Sequence, residues 1–444
     1  MTSLGEYRWD GRELAETPAA SVRRTSKLED KAAARVDFAL LASALFLQRF
    51  SLPFRNTFLM LDLVPVVLIL LHQFFSGKLV VQYDRLLWFV AAAFAATYSL
   101  WLNFNGGMLT SYFLFLTLYS LVTLSRPSTP DRYNNTLRTF QFLVMVLSCL
   151  AVAQFFAQLV VDGRKLIMFY GVVPDFLLGF YNSGGENTIV PLVGHLIKSN
   201  GLFLSEPSTL SQVAALGILI EVLEFRRPRY LLAMIPGFLL AYSGTGMMIL
   251  LLFLPLACLR DRRAGLAALL VVMSAFGLSA AGVIDLSFFQ GRVGEFENTK
   301  ASGFLRFVAP FLLAGTQFDT ASLQALLIGS GPGTAKYFNS NSTVWITGAF
   351  TSTWFKLFIE YGVIGSAVII CFFASCLRKS RCPGVMLAAF ASMYLFVVVS
   401  LTTWFLTVVV VLCTLHGPEP RRSRVVDRRR SEASFVAGSA AGGL

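Results

Sequence analysis

Charge is scarce in this 444-residue chain: only 14% of it is Asp, Glu, Lys or Arg, against 55% hydrophobic residues. That balance leaves no room for a disordered polar chain or a basic nucleic-acid surface, although the formal net charge is +12. Histidine is rarer still, with three in all: His72, His195 and His416. The six cysteines form no CxxC pair. Cys149, Cys258, Cys371 and Cys413 lie in apolar runs, while Cys376 and Cys382 flank a basic loop. Neither a disulfide framework nor a metal site is expected. The Gly329-Ser-Gly-Pro-Gly333 stretch lacks the Gly-Lys-Ser/Thr ending of a nucleotide loop, so its glycines are expected to form a tight turn. Residues 1–35 lack the apolar core of a signal peptide, so the first membrane helix is expected to direct insertion itself.

Apolar runs fill the chain instead. They lie near 36–53, 57–76, 86–104, 108–125, 137–161, 202–223, 230–244, 246–260, 264–283, 350–376, 384–400 and 402–416. An all-α polytopic membrane protein of about 12 transmembrane helices is expected over 36–416, between a polar tail at 1–35 and a basic, disordered tail at 417–444. Basic clusters set the orientation. Arg23, Arg24, Lys27, Lys31 and Arg35 place the N-terminus in the cytoplasm, and Arg421, Arg422, Arg424 and Arg428 to Arg430 place the C-terminus there too. Only an even number of crossings satisfies both, so the unbroken stretch from Gly384 to Leu415 is expected to split near Ser400–Thr403. Two long loops, about 162–201 and 284–348, then fall on the outer face. They hold Arg164, Asp175, Glu186, His195, Arg292, Glu295, Arg306, Asp319 and Lys336, and so concentrate the polar chemistry there.

Lys198 to Gln212, KSNGLFLSEPSTLSQ, joins the first loop to an apolar run. Its Glu206 stands just inside the expected membrane face, where an acid needs a partner or a function. Pro207 fits the first turn of a helix, so Glu206 is equally readable as a helix cap resting on the dipole. Arg292 and Arg306 can bind a diphosphate through paired hydrogen bonds, or can pair with Glu295, Glu297 or Asp319. Lys198, Lys336 and Arg164 are further candidates for binding an anionic substrate. Glu206 and His195 are candidate bases for a hydroxyl, the imidazole because it titrates near neutrality. Lys356 and Glu360, four residues apart, share a helix face and are expected to neutralise each other.

These residues resemble the O-antigen polymerase and ligase superfamily, especially its exopolysaccharide-polymerase branch. The pattern [Arg/Lys]-x-x-Gly-x-Phe-x-x-Glu-Pro-Ser is met from Lys198 through Gly201, Phe203, Glu206 and Pro207 to Ser208. Ser243-Gly-Thr-Gly246, Ser302-Gly-Phe-Leu-Arg306, Leu327-Ile-Gly-Ser-Gly-Pro-Gly333 and Glu360-Tyr-Gly362-Val-Ile-Gly365 follow in the family's order. Lys198 stands where arginine is usual, and the histidine and asparagine of ligases are replaced by the neighbourhood of Ser352 and Thr353, which favours a polymerase. The resemblance implies a GT-C-like bundle in the bacterial inner membrane. It further implies a metal-independent, inverting glycosyltransferase without cofactor. Such an enzyme moves a growing glycan from undecaprenyl diphosphate to the next lipid-linked repeat unit. Its expected partners are that lipid-linked oligosaccharide, membrane lipid, and a chain-length regulator within an export complex; nucleic acid is not among them. An O-antigen ligase, or a transporter or flippase of lipid-linked glycan, is the alternative.

Overall fold

A computed structural model describes residues 18–163, 196–260, 303–335, 352–398 and 401–417, apart from gaps at 55–56 and 104–107. It also describes 166, 173–178 and scattered positions between 273 and 301. The described chain is mainly helical. Helices α1 (Pro18–Phe46) and α2 (Leu63–Phe75) flank a hairpin of β1 (Ser51–Phe54) and β2 (Thr57–Met60). Then come β3 (Val80–Val81), α3 (Tyr83–Leu102), α4 (Leu109–Val122), β4 (Leu124–Pro127) and α5 (Pro130–Ala157). Helix α6 (Pro207–Ile220) runs on through a π turn, Glu221–Phe225, and is followed by α7 (Pro228–Leu240) and α8 (Gly244–Arg260). The second half holds α9 (Ala309–Thr320), α10 (Leu323–Ile328), α11 (Thr353–Arg378), α12 (Gly384–Ser392), α13 (Thr403–Val409) and β5 (His416–Gly417).

Four helices are long and apolar enough to cross a membrane: Tyr83–Leu102, Pro130–Ala157, Pro207–Phe225 and Thr353–Arg378. Six shorter apolar helices, of 10–17 residues, accompany them. The described residues therefore fall short of the twelve spans expected from hydropathy. A helix of 13 residues rises only about 20 Å, less than the ~30 Å hydrocarbon layer. The causes are local. The run at 57–76 gives its first residues to β2, which pairs with β1 from Ser51↔Met60 to Phe54↔Thr57. Helix α1 begins at Pro18, upstream of its apolar run, and carries Asp30, Lys31, Arg35 and Asp37 in mid-helix. The run near 264–283 lies outside the described residues save for single positions. The stretch from Gly384 does divide in two, through a π turn at Met393–Val397 and a turn in which Leu401 takes φ of +70°.

Helix α6 is the centre of the bundle. Of the four long helices its apolar window is the most enclosed, 78% buried against 28% for α3. It packs on α5, α7 and α8, and α12 touches it as well. The face of α3 not needed for packing presents Trp88, Phe94 and Trp101 outward, as a lipid-facing helix does.

Contacts between the turns sort them into two groups, one at each end of the bundle. At one end β3, β4 and β5 form a small sheet, β3 antiparallel and β5 parallel to β4. There Asp37, fully buried, forms an ion pair with Arg126 and accepts a hydrogen bond from Thr136 Oγ1 at 2.6 Å. His416 Nε2 stands 3.6 Å from the same carboxylate, and its Nδ1 shares a 2.8 Å hydrogen bond with Ser128 Oγ. Lys379 pairs with Asp84 at this end. At the other end Ser205 Oγ donates to Gln48 Oε1 at 3.1 Å, Asn103 Nδ2 donates to the Gly329 carbonyl at 3.1 Å, and Thr353 Oγ1 donates to the Val398 carbonyl at 2.9 Å.

The glycine-rich turn after α10 is locked against a break in α11. Gly362 has φ +63° and ψ −169° within the helix, which frees backbone groups on the preceding turn. Ser330 N–H donates to the Ile359 carbonyl at 2.8 Å and Gly331 N–H to the Glu360 carbonyl at 3.0 Å. Gly329 holds φ +88°, and a Cβ there would lie 2.4 Å from the Glu360 carbonyl group. Neither condition admits a side chain. Gly329→Ala is expected to destabilise the protein by about 2–4 kcal/mol, seen as a lower Tm in detergent. Gly315→Ala, in α9 with open space around its Cβ, is expected to leave Tm unchanged or slightly raised.

Candidate functional site

Helix α6 starts where the sequence places a proline after an acid. Glu206 is extended (φ −140°, ψ 155°) and Pro207 occupies the first helical turn. Glu206 holds the N-cap position, yet its side chain accepts no backbone hydrogen bond there. Its Oε2 instead accepts from Ser208 Oγ at 2.6 Å and from Arg306 Nη2 at 3.2 Å, a partner one hundred residues away. Arg306 projects from a π turn, Phe304–Val308, whose Phe304 and Leu305 bury with Ala309 against Phe355 and Ile359 of α11. Two of the residues singled out by sequence, one at the head of α6 and one in the segment 284–348, thus meet.

The pair lines a cavity of about 150 Å³ whose walls include Ser205, Thr209, Gln212, Ser352, Thr402 and Trp404. Hydroxyl and amide groups continue behind it. Gln212 Nε2 donates to Thr245 Oγ1 at 3.3 Å, and Thr245 Oγ1 lies 3.1 Å from Ser243 Oγ. Gly246 permits this closeness, because a Cβ on it would sit 2.2 Å from the Ser211 carbonyl oxygen. The Glu206 side chain is 38% exposed and that of Arg306 is 16% exposed. An ion pair so open to water adds at most about 1 kcal/mol to stability. The Glu206 carboxylate keeps part of its surface open to the cavity.

The segment leading into Glu206 is held by side chains from α1 and α5. Gly201 and Leu202 both take left-handed backbone angles, so successive amides turn toward one point. Gln154 Oε1 occupies it, accepting from the N–H groups of Asn200, Gly201 and Leu202 at 3.1, 3.0 and 3.4 Å. Asn200 closes the turn with a 2.8 Å hydrogen bond to the Leu204 carbonyl. Arg49, fully buried at the end of α1, donates to the Leu202 carbonyl at 2.8 Å.

Lys198 is buried on this segment and does not line the cavity. The side chain of Asp175, and all of His195, Arg292, Lys336, Arg164, Glu186 and Glu295, lie outside the described residues. Lys356 and Glu360 do meet, Nζ to Oε1 at 3.7 Å, on the buried face of α11. Sequence reasoning missed Gln48, Arg49 and Gln154. Their signal was polar side chains inside apolar runs, which a bundle tolerates only where each finds a partner.

The chain matches no protein-family model and no curated protein. Replacing Gln154 by Leu removes the acceptor for the buried amides of Asn200 and Gly201, while Leu202 N–H keeps Asn200 Oδ1 at 3.2 Å. This substitution is expected to cost about 2–3 kcal/mol locally. Hydrogen exchange of the peptide spanning Asn200 to Leu202 is expected to accelerate while that of α11 stays unchanged.

Proposed function

We propose that the protein is a polysaccharide polymerase of the bacterial inner membrane, acting on lipid-linked glycan at the periplasmic face. The observation that carries the proposal is the Glu206–Arg306 contact, a carboxylate and a guanidinium brought together in an open cavity rich in hydroxyl groups. A glycosyl transfer from a lipid diphosphate needs both groups. The acceptor hydroxyl of the next repeat unit attacks the anomeric carbon of the growing glycan. The carbon–oxygen bond to the diphosphate breaks, the hydroxyl proton passes to the Glu206 carboxylate, and undecaprenyl diphosphate departs with its charge held by Arg306. Donor and acceptor both carry undecaprenyl diphosphate, so the product is a glycan one unit longer on the acceptor's carrier. In this proposal Arg292 adds positive charge for the diphosphates, Lys336 and Arg164 guide the lipid-linked substrates, and His195 is a second candidate base.

The motif order from Lys198 to Gly365 supports the family assignment within the proposal, as does the docking of the Gly329–Gly333 turn onto the Glu360–Gly362 break. The four helices long and apolar enough to cross a membrane give the proposed topology its spans, with a cytoplasmic and an outer end. The sorting of turns to two ends supports that topology, with Arg126, Lys379 and His416 at the cytoplasmic end and Glu206 and Arg306 at the outer end. Both termini are then cytoplasmic, and a chain-length regulator and export complex are the expected partners.

Arg306→Ala and Glu206→Gln, made in cells that produce the polymer, test this reading. Each is expected to lower polymer formation by about 10²-fold or more, at normal membrane level, with single repeat units accumulating on their carrier at the outer face. Accumulation at the cytoplasmic face would indicate a flippase, full-length polymer retained on the carrier would indicate a ligase, and unchanged polymer would reduce the pair to a helix-end contact.

A further inference from the structure

A second cavity, of about 350 Å³, opens at the opposite end of the bundle from Glu206, between α11 and α12. Its floor is aromatic: Phe373 and Tyr394 stack with ring centroids 4.0 Å apart and planes 12° from parallel. The Tyr394 hydroxyl is satisfied by Tyr119 Oη at 2.5 Å, so the ring turns an apolar face to the groove. Small side chains on the rim, among them Ala391, leave the space open. The lining runs along α11 from Ile370 to Arg378, which at helical rise is about 12 Å, close to the depth of one bilayer leaflet.

Charge sits at one end only. Arg378 closes the groove at the end of α11, is exposed, and makes no ion pair among the described residues. Its neighbour Lys379 is taken by Asp84, and Arg381 turns to the Gly417 carbonyl at 3.4 Å. An apolar channel one leaflet deep, capped by a single available guanidinium at the level of the headgroups, has the shape and charge of an amphiphile with an anionic head. We infer that this groove binds an anionic glycerophospholipid of the leaflet at that end, its acyl chain along Phe373 and Tyr394 and its phosphate on Arg378. The inference rests on the membrane placement of the bundle and not on glycosyl transfer. A bound lipid here splints α11 to α12.

Native mass spectrometry of the full-length protein in neutral detergent tests it, with dioleoyl phosphatidylglycerol and dioleoyl phosphatidylcholine offered in equal amounts. Phosphatidylglycerol is expected to be retained about fivefold in preference, the contribution of one basic side chain near an anionic surface. Arg378→Gln is expected to abolish the preference while some lipid of both kinds remains, and Ala391→Trp to fill the groove and remove retention altogether. Arg378 is exposed, so its variant keeps the fold; unchanged Tm in both variants confirms it. Equal retention of the two lipids by the natural protein, or preference unchanged in both variants, would overturn the inference. So would displacement of phosphatidylglycerol by a polyprenyl phosphate, which would make the groove a carrier site, or a dimer that Ala391→Trp dissociates. Polymer formation that fails in the Glu206 and Arg306 variants but persists in these keeps the two readings separable.

Discussion

A polar group placed in an apolar bundle must be given a partner, and the entry of α6 shows how much structure that constraint commands. Helix α6 is enclosed by its neighbours, so its first turn cannot shed polar atoms into water. The chain from Ile197 to Ser205 is therefore fastened by side chains reaching in from elsewhere: Gln158 and Gln154 from the end of α5, Gln48 and Arg49 from the end of α1. Glu206 faces an open cavity, and it is met there by Arg306.

The same rule organises the opposite end, with a different outcome. Asp37, Arg126, Thr136, His416 and Ser128 form a closed cluster in which charge is fully removed from water. Removing one partner of such a pair leaves a buried charge and costs about 3–5 kcal/mol, whereas an exposed pair is worth far less. The Asp37–Arg126 pair is thus closed off from water, whereas the Glu206–Arg306 pair stands on a cavity.

Much of the site was legible in the sequence. An acid followed by proline at the head of an apolar run marks a helix start with a charge on it, and α6 begins there. The stretch after Gly384 is expected to divide near Ser400–Thr403, and the described residues hold two helices there, Gly384–Ser392 and Thr403–Val409. Spacing paired Lys356 with Glu360. Helix length was not legible. Hydropathy measures how long a segment stays apolar, whereas hairpin pairing at Ser51–Met60 and π turns at Glu221, Met393 and Val410 are decided by backbone partners that periodicity does not encode. The pairing of Glu206 with Arg306, rather than of Arg306 with a nearby acid of its own loop, is likewise a tertiary fact. It is set by the burial of Phe304 and Leu305 against α11. The interlock of Gly329 with Glu360 joins two motifs that sequence order alone only lists side by side.

The central claim is that Glu206 and Arg306 form one site with unequal chemical roles, not merely a contact between two loops. Exchanging them, Glu206→Arg with Arg306→Glu in one protein, keeps the ion pair and moves the cation to the head of α6. The account predicts normal membrane level and Tm for the exchanged protein with no polymer, since the base and the diphosphate cation then occupy each other's places. Polymer restored to the natural level by the exchange would show that only the contact matters, and would contradict the account.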